Sequence, residues 1–154
     1  MTTPKIADEF RRPGKDFRHG FTFSGHPTVA AAVLAHIEIM ERGNLVQKAA
    51  TMGKYLKERL EQFYKYPIVG DVRGMGMILA IQLVADRKSK APLDPKLKVG
   101  TWIRDYCWEH GMILRNNGDI LVIAPAFTMA KEEADKMLEL MEQGICEAIK
   151  HFGL

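Results

Sequence analysis

A polar loop near the start of the chain combines the residue types that bind anions. The stretch "FRHGFTFSGHP", residues 17–27, places the hydroxyl groups of Thr22 and Ser24 among glycines, just before a helix that begins at Pro27. A helix N-terminus exposes unpaired amides and the positive end of the helix dipole, so phosphate groups bind there readily. A structural interpretation fits equally: Ser24 and His26 cap the helix, and Thr22 hydrogen-bonds within the loop.

Two arginines that follow apolar residues are candidates for binding a carboxylate. Arg115 ends the run "MILR" beside a predicted tight turn, where its planar guanidinium could form two parallel hydrogen bonds with a carboxylate. A solvated position at the rim of a strand explains the same residue. Arg73, in "VRGMGM", is expected to be structural and to bind turn carbonyls or an acidic side chain.

The motifs of several other site classes are missing from the sequence. It contains neither the G-x-x-x-x-G-K-S/T phosphate loop nor the G-x-S-x-G nucleophile elbow. The glycines of "GDVRGMG" lack the dinucleotide spacing and are better explained by bends between strands. His19 and His26 lie in one loop without a carboxylate between them, so no metal site is predicted.

Composition predicts an ordinary globular protein. The 154 residues are 47% hydrophobic, and 22 basic against 19 acidic residues leave a net charge of +3 that is spread along the chain. Without a basic stripe and interleaved aromatic residues, a nucleic-acid partner is not expected, and no apolar run is long enough for a membrane span. Cys107 and Cys146 are interpreted as reduced, buried thiols in a cytoplasmic protein.

Two helices lead the pattern of secondary structure. The first covers 27–42 and ends at Gly43, and the second covers 45–64, with Asn44 and Gln47 spaced as in a capping box. Both helices carry apolar residues on more than one side. We therefore expect them to pack against something besides the domain that follows.

Strands follow the two helices. Residues 67–84 are first punctuated by glycines, and from 77 onward successive side chains point to opposite faces of a strand. This pattern predicts two strands, or one bent strand, with Gly74 and Gly76 at the bend. Residues 112–125 predict a hairpin whose tight turn lies at 116–119, because Asn-Gly favours positive φ.

Two further helices complete the order α-α-β-β-α-β-β-α. The third helix is predicted to begin at Pro95 with Asp94 as its cap and to end before Gly111, and the last to run from a Thr128 cap through His151. Strands joined by hairpins, with helices on one face, predict an α+β fold. Its architecture is a two-layer sandwich of a small, mostly antiparallel sheet, preceded by two long helices.

Three motifs together resemble one family. "HGFTFSGHP", "VGDVRGMGMILAIQLV" and "GMILRNNGDILVIAPAF" occur in this order and are similar to segments of the class III aminotransferases, which are pyridoxal-phosphate (PLP) enzymes of fold type I. The resemblance runs from about Phe17 to the end of the chain. Within the family, the first motif is most similar to the ω-amino acid:pyruvate group.

The resemblance implies roles for particular residues. Phe21 and Thr22 would bind the phosphate of a PLP molecule held by the neighbouring subunit, and Arg115 would bind a substrate carboxylate. The reaction implied is transfer of an amino group from an amine or ω-amino acid to a keto acid such as pyruvate. Residues 1–66 would be the tail of the large domain with interdomain helices, and 67–154 the C-terminal small domain.

The resemblance also implies that the isolated chain is inactive. In the family a lysine upstream of these motifs forms the Schiff base with PLP, and none of the thirteen lysines here lies in the family's "A-K-G" context. We therefore predict no catalytic residue in this chain, and a partner that is a second copy or a complementary N-terminal aminotransferase chain. The alternative is a non-catalytic interaction module that pairs with a complementary chain.

Overall fold

A computed structural model describes residues 2–154. Within these residues there are five α-helices and four strands. In chain order they are α1 (Pro4–Glu9), α2 (Pro27–Arg42), α3 (Leu45–Glu61), β1 (Val69–Met75), β2 (Ile78–Leu83), α4 (Val99–Glu109), β3 (Arg115–Asn117), β4 (Ile120–Ile123) and α5 (Lys131–Phe152). The chain forms two compact units, one up to Ile39 and one from Met40 to Leu154.

The first unit contains α1, the polar loop and most of α2. Helix α2 buries none of its residues, and Leu34 remains 63% exposed. The exposed side chains of α2 include Val29, Val33, Leu34, Ile37 and Ile39. In the second unit Val46 at the start of α3 is 71% exposed. The prediction that both leading helices carry exposed apolar surface is therefore confirmed, and such surface favours association with another protein surface.

The second unit is a two-layer sandwich. Its sheet is antiparallel, with strand order β1-β2-β4-β3. Along β2 the side chains of Leu79, Ile81 and Leu83 are buried, whereas Ala80 and Gln82 lie on the other, partly open face. Helices α3, α4 and α5 supply the rest of the core, including Leu56, Ile103 and Leu138. The predicted α+β class and the sandwich architecture are confirmed.

The third helix begins later than its sequence predicts. It starts at Val99 rather than Pro95, because Asp94 closes a local turn instead of capping a helix. The Asp94 carboxylate accepts a hydrogen bond from the amide of Lys96 at 3.0 Å, and its carbonyl accepts one from Leu97 at 3.0 Å. Lys98 then adopts a left-handed conformation with φ +50° before the helix begins.

The caps of the other helices also differ from prediction. Thr128 does not cap the last helix, which begins at Lys131; Glu133 accepts the amide of Ala130 at 2.8 Å instead. Asn44 has φ +49° and makes no side-chain cap hydrogen bond, so the predicted capping box is wrong. The second long helix ends at Glu61 and continues as a 3₁₀ turn to Lys65.

Both hairpins form, although one has different boundaries. The first pairs β1 with β2. Gly76 lies in its turn as predicted, but Gly74, also predicted at the bend, lies within β1 and pairs with Leu79. In the second, Met112–Leu114 are not in a strand, and β3 covers Arg115–Asn117. The turn is therefore the two residues Gly118 and Asp119, because Asn117 pairs with Ile120. Gly118 supplies the positive φ of +57° that this tight turn requires.

A polar cluster connects α3 with α5. The hydroxyl of Tyr55 donates a hydrogen bond to Asp135, and Arg59 lies 2.8 Å from the same carboxylate. Lys131 contacts the second carboxylate oxygen of Asp135 at 3.0 Å. The hydrogen bonds from Tyr55 and Lys131 hold the pKa of Asp135 below its ordinary value.

This cluster predicts a loss of stability in acid. A carboxylate whose pKa is lower in the folded state stabilises the fold above its unfolded pKa of about 3.9. That stabilisation is lost as the pH falls through the lower, folded pKa. We expect Asp135→Asn to melt below wild type at pH 6, and the difference to shrink as the pH falls below the unfolded pKa of about 3.9. Glu139→Gln, an exposed change on the same helix, is the control; equal melting of Asp135→Asn and wild type at pH 6 would contradict the prediction.

Candidate functional site

The polar loop folds into a local turn before α2. The amide of Phe21 donates to the hydroxyl of Ser24 at 3.1 Å, and the amide of Ser24 donates to the carbonyl of Phe21 at 3.0 Å. Gly25 completes the turn with φ +73°. The Ser24 hydroxyl is thus committed to the loop and does not cap the helix.

Thr22 lies at the tip of this turn and is exposed. Within residues 2–154 neither its hydroxyl nor its amide makes a hydrogen bond, so the interpretation in which Thr22 bonds within the loop is wrong. Phe21 beside it is 74% exposed and meets His19 edge-to-face at 5.0 Å between ring centroids. A hydroxyl and an amide without partners at an exposed turn can donate to an anion.

Arg115 lies on the open face of the sheet. It pairs with Val122, which pairs with Ala80, which in turn pairs with Arg73, so the four residues form one row across the strands. Paired residues of antiparallel strands share a face of the sheet. The guanidinium of Arg115 is exposed and makes no hydrogen bond or ion pair in the described part of the chain.

Arg73, at the other end of this row, is engaged. Its guanidinium lies 2.9 Å from the carboxylate of Asp71 and 3.2 Å from the side-chain oxygen of Gln82. The prediction that Arg73 is structural and binds an acidic side chain is confirmed. Between the two arginines of the row, only Arg115 therefore has a guanidinium available for a ligand.

The hairpin that carries Arg115 is fixed to α4 by contacts that sequence reasoning missed. The side-chain amide of Asn116 donates to the hydroxyl of Thr101 at 3.2 Å and to the carbonyl of Gly118 at 2.8 Å. The carboxylate of Asp119 accepts the amide of Gly100 at 2.9 Å. The only sequence signal was that Asn and Asp flank Gly118, which also suits an isolated turn.

A cavity in the described part of the chain lies elsewhere. It has a volume of about 630 Å³ and is walled by α3 and by the segment before α5, including Met52, Tyr55, Phe127 and Met129. Neither Thr22 nor Arg115 lines it. The exposed positions of these two residues, rather than this cavity, carry the candidate chemistry.

Other site chemistries find no support in the described residues. In residues 2–154 no group of three or more His, Cys, Asp or Glu side chains is arranged to hold a metal ion. Burial raises the pKa of the Cys107 thiol to about 11, so this thiol stays protonated and is a poor nucleophile. Cys146, also predicted to be buried, is only partly buried. None of the helices described is long and apolar enough to cross a membrane.

Comparison with known proteins shows one family throughout. The sequence profile of the class III aminotransferases matches residues 1–145. An uncharacterized aminotransferase of Sinorhizobium fredii is 42% identical over 132 residues, 84% of this chain. The putrescine–pyruvate aminotransferase of Pseudomonas aeruginosa is 35% identical over 133 residues, 86% of this chain.

Solved structures show the same fold. An (S)-enantioselective ω-transaminase from Thermomicrobium roseum superposes on 96% of the chain with a TM-score of 0.84 at 32% identity. The ω-transaminase of Pseudomonas jessenii, in complex with PMP, gives a TM-score of 0.82 at 36% identity over 96% of the chain. The chain covers 33% and 32% of these two structures, and 28% and 29% of the two curated relatives.

Proposed function

The chain belongs to the class III aminotransferases, and we propose that it supplies a phosphate-binding loop and a carboxylate-binding arginine to such an enzyme. The reaction is transfer of an amino group from an amine or ω-amino acid to a keto acid such as pyruvate. Enzymes of this class use PLP. The amino-group donor is proposed only as a class.

One contrast carries the proposal. Within each candidate region, one residue is engaged by its own neighbours and one of similar chemistry is not. Ser24 closes the turn, whereas Thr22 has no hydrogen-bond partner in residues 2–154. Arg73 is paired with Asp71, whereas Arg115 is unpaired in the same range. The two unpaired residues are those to which the resemblance assigns ligands.

The polar loop fits the phosphate of PLP. Thr22 offers a hydroxyl and an amide, and nothing in the described chain lies within 4 Å of the positions where Gly20 and Gly25 would carry side chains. A ligand can therefore approach the backbone closely. The ring of PLP, when bound, withdraws electrons from the carbon that carries the amino group. The residues of this chain would hold the phosphate at Thr22, with Phe21 beside it, and orient the substrate carboxylate at Arg115.

The reactive amine is proposed to lie on another stretch of protein. None of the thirteen lysines is in the context that the family uses, and the chain covers less than a third of the relatives' lengths. We propose that residues 1–66 belong to the large domain and its connecting helices, and 67–154 to the small domain. A second copy of the chain or a complementary chain would complete the site.

A combined enzyme tests the proposal. In it, this chain replaces the 133 matching residues of the Pseudomonas aeruginosa putrescine–pyruvate aminotransferase. We expect the combined enzyme to transaminate, and Thr22→Ala to weaken its PLP affinity by roughly 10- to 100-fold, the value of charge-assisted hydrogen bonds. Thr28→Ala, an exposed threonine on α2, is the matched control.

The lone chain provides the opposite arm of this test. Treated with PLP and borohydride, it should yield no stoichiometric PLP–lysine product by mass spectrometry. A stoichiometric product on one of its lysines would overturn the proposal that the reactive amine lies elsewhere. An inactive combined enzyme that still binds PLP would favour the non-catalytic interaction module.

A further inference from the structure

Arg115 stands on a strand that is too short to fix its direction alone. Strand β3 has three residues and lies at the edge of the sheet, paired only with β4. Edge strands of this length rarely hold a defined orientation without further contacts. The contacts that hold β3 in place lie on the face opposite Arg115.

Asn116 makes the first of these contacts. Side chains alternate along a strand, so Asn116 points away from the open face on which Arg115 and Asn117 lie. Its amide donates to Thr101 on α4 and to the carbonyl of Gly118 in the turn. Arg104, one helical turn further along α4, approaches the side-chain oxygen of Asn116 at 3.4 Å. One side chain thus joins the strand, its turn and the helix.

The turn itself rests on the first turn of α4. Asp119 accepts the amide of Gly100, the second residue of the helix, so a carboxylate from the hairpin satisfies a helix amide that has no partner within α4. The positive end of the helix dipole favours this charge. A Cβ at Gly100 would overlap the carbonyl oxygen of Gly118, which shows how closely the turn approaches the helix.

We propose that Asn116 and Asp119 are positioning residues for Arg115. They fix the β3–β4 hairpin to the first turn of α4, and the fixed strand directs the guanidinium out of the open face toward a substrate carboxylate. This inference rests on the proposed function, because the direction of the guanidinium matters only if Arg115 binds a carboxylate. Both residues are engaged by α4 and the turn rather than by a ligand.

Hydrogen exchange on the lone 154-residue chain tests the structural part. The variants are Asn116→Ala and the isosteric Asp119→Asn, and the matched control is Asn117→Ala, which alters an exposed asparagine of the same strand. We expect the β3 and β4 amides to exchange at least about 10-fold faster in the two positioning variants, with the core of α5 unchanged. Exchange in β3 that matches wild type in both variants would overturn the inference, whatever the function.

Substrate selectivity of the combined enzyme tests the positioning part. The readout is the ratio of kcat/KM for β-alanine, which has a carboxylate, to that for putrescine, which has none, in the amine half-reaction. Misplacing a binding group costs up to about 100-fold, and we expect both variants to lower the ratio by roughly 10-fold. A purely structural role would lower both values together and leave the ratio unchanged.

Arg115→Leu separates the two ways in which the idea can fail. If Arg115→Leu lowers the ratio and the two positioning variants do not, the proposed function stands and the inference is wrong. If Arg115→Leu leaves the ratio unchanged, or if the combined enzyme is inactive, the proposed function fails and the inference fails with it. If Asn116→Ala prevents folding, the isosteric Asp119→Asn variant still decides the experiment.

Discussion

Replacing Gly53 or Gly100 with alanine is expected to destabilise the folded chain by about 3 kcal/mol or more, the upper range for overpacking. A Cβ at Gly53 would overlap the carbonyl group and Cα of Gly76, and one at Gly100 would overlap the carbonyl oxygen of Gly118. In both cases the obstacle is backbone, which cannot move aside as a flexible side chain does. Urea unfolding monitored by circular dichroism measures the change.

Gly144→Ala is the matched control. Gly144 is also a buried helical glycine, but its Cβ would meet only side-chain atoms, at 3.3 Å from Ile103 and Tyr106 and 3.5 Å from Cys107. Alanine gains about 1 kcal/mol of helix propensity over glycine, which offsets this tightness. Equal losses at Gly144 and Gly100 would show that the cost comes from burial in general rather than from the backbone of the turn.

Gly53 and Gly100 take part in the same structural arrangement. Each of the two hairpins ends in a two-residue turn that contains a glycine with positive φ, Gly76 at +55° and Gly118 at +57°. The carbonyl of each turn glycine occupies the place where a helical residue, Gly53 or Gly100, would carry its Cβ. Each hairpin is therefore seated directly on the backbone of a helix, and the second hairpin carries Arg115.

Sequence patterns were sufficient for the elements but not for this seating. Alternation along β2 and the glycines near positions 74–76 predicted the first hairpin, because a period of two is local. Gly53 and Gly100 lie inside predicted helices, where a lone glycine is slightly unfavourable but gives no sign of a distant contact. Their partners, Gly76 and Gly118, lie about twenty residues away, and no spacing rule relates a helix glycine to a distant turn.

The predicted boundaries of helices and strands were wrong where nearby polar side chains offer alternative hydrogen bonds. Asp94 and Thr128 have the residue types of helix caps. However, Asp94 forms its own turn, and the side chain of Glu133 caps the start of the last helix. Asn116 was assigned to a turn because asparagine favours turns, and it lies in β3 because pairing with Leu121 keeps the strand in register. Local hydrogen bonds decided the first two positions, and strand pairing decided the third.

The candidate site was only partly readable from the residues. Without the resemblance, each residue was open to a purely structural interpretation: Thr22 bonded within its loop, and Arg115 solvated at the rim of a strand. In the structure Arg73 is paired with Asp71, which lies on the same strand and face, whereas Arg115 has no such partner in residues 2–154. That distinction was within reach of the sequence, since residues two apart on a strand share a face. The contacts of Asn116 and Asp119 with α4 were not, because they join separate elements.

Arg115→Leu is expected to cost the combined enzyme about 2–3 kcal/mol in kcat/KM for β-alanine, or roughly 30- to 150-fold. The guanidinium is exposed and without a partner in residues 2–154, so its removal breaks no hydrogen bond or ion pair of the fold seen there. The loss therefore reports on the ligand. Single-turnover measurement of the amine half-reaction excludes the carboxylate of the keto acid from the result.

Putrescine and Arg73 supply the two controls for this prediction. Putrescine has no carboxylate, so its kcat/KM should change by less than about 3-fold in Arg115→Leu, within the range of indirect effects. Arg73→Leu removes a guanidinium from the same row of the sheet, but one already neutralised by Asp71, and should leave the β-alanine to putrescine ratio unchanged. An Arg115→Leu enzyme that loses both substrates equally would show that Arg115 supports the site without binding the carboxylate. If Arg73→Leu lowers the ratio instead, the carboxylate lies at the opposite end of the row, and the unpaired state of Arg115 has another cause.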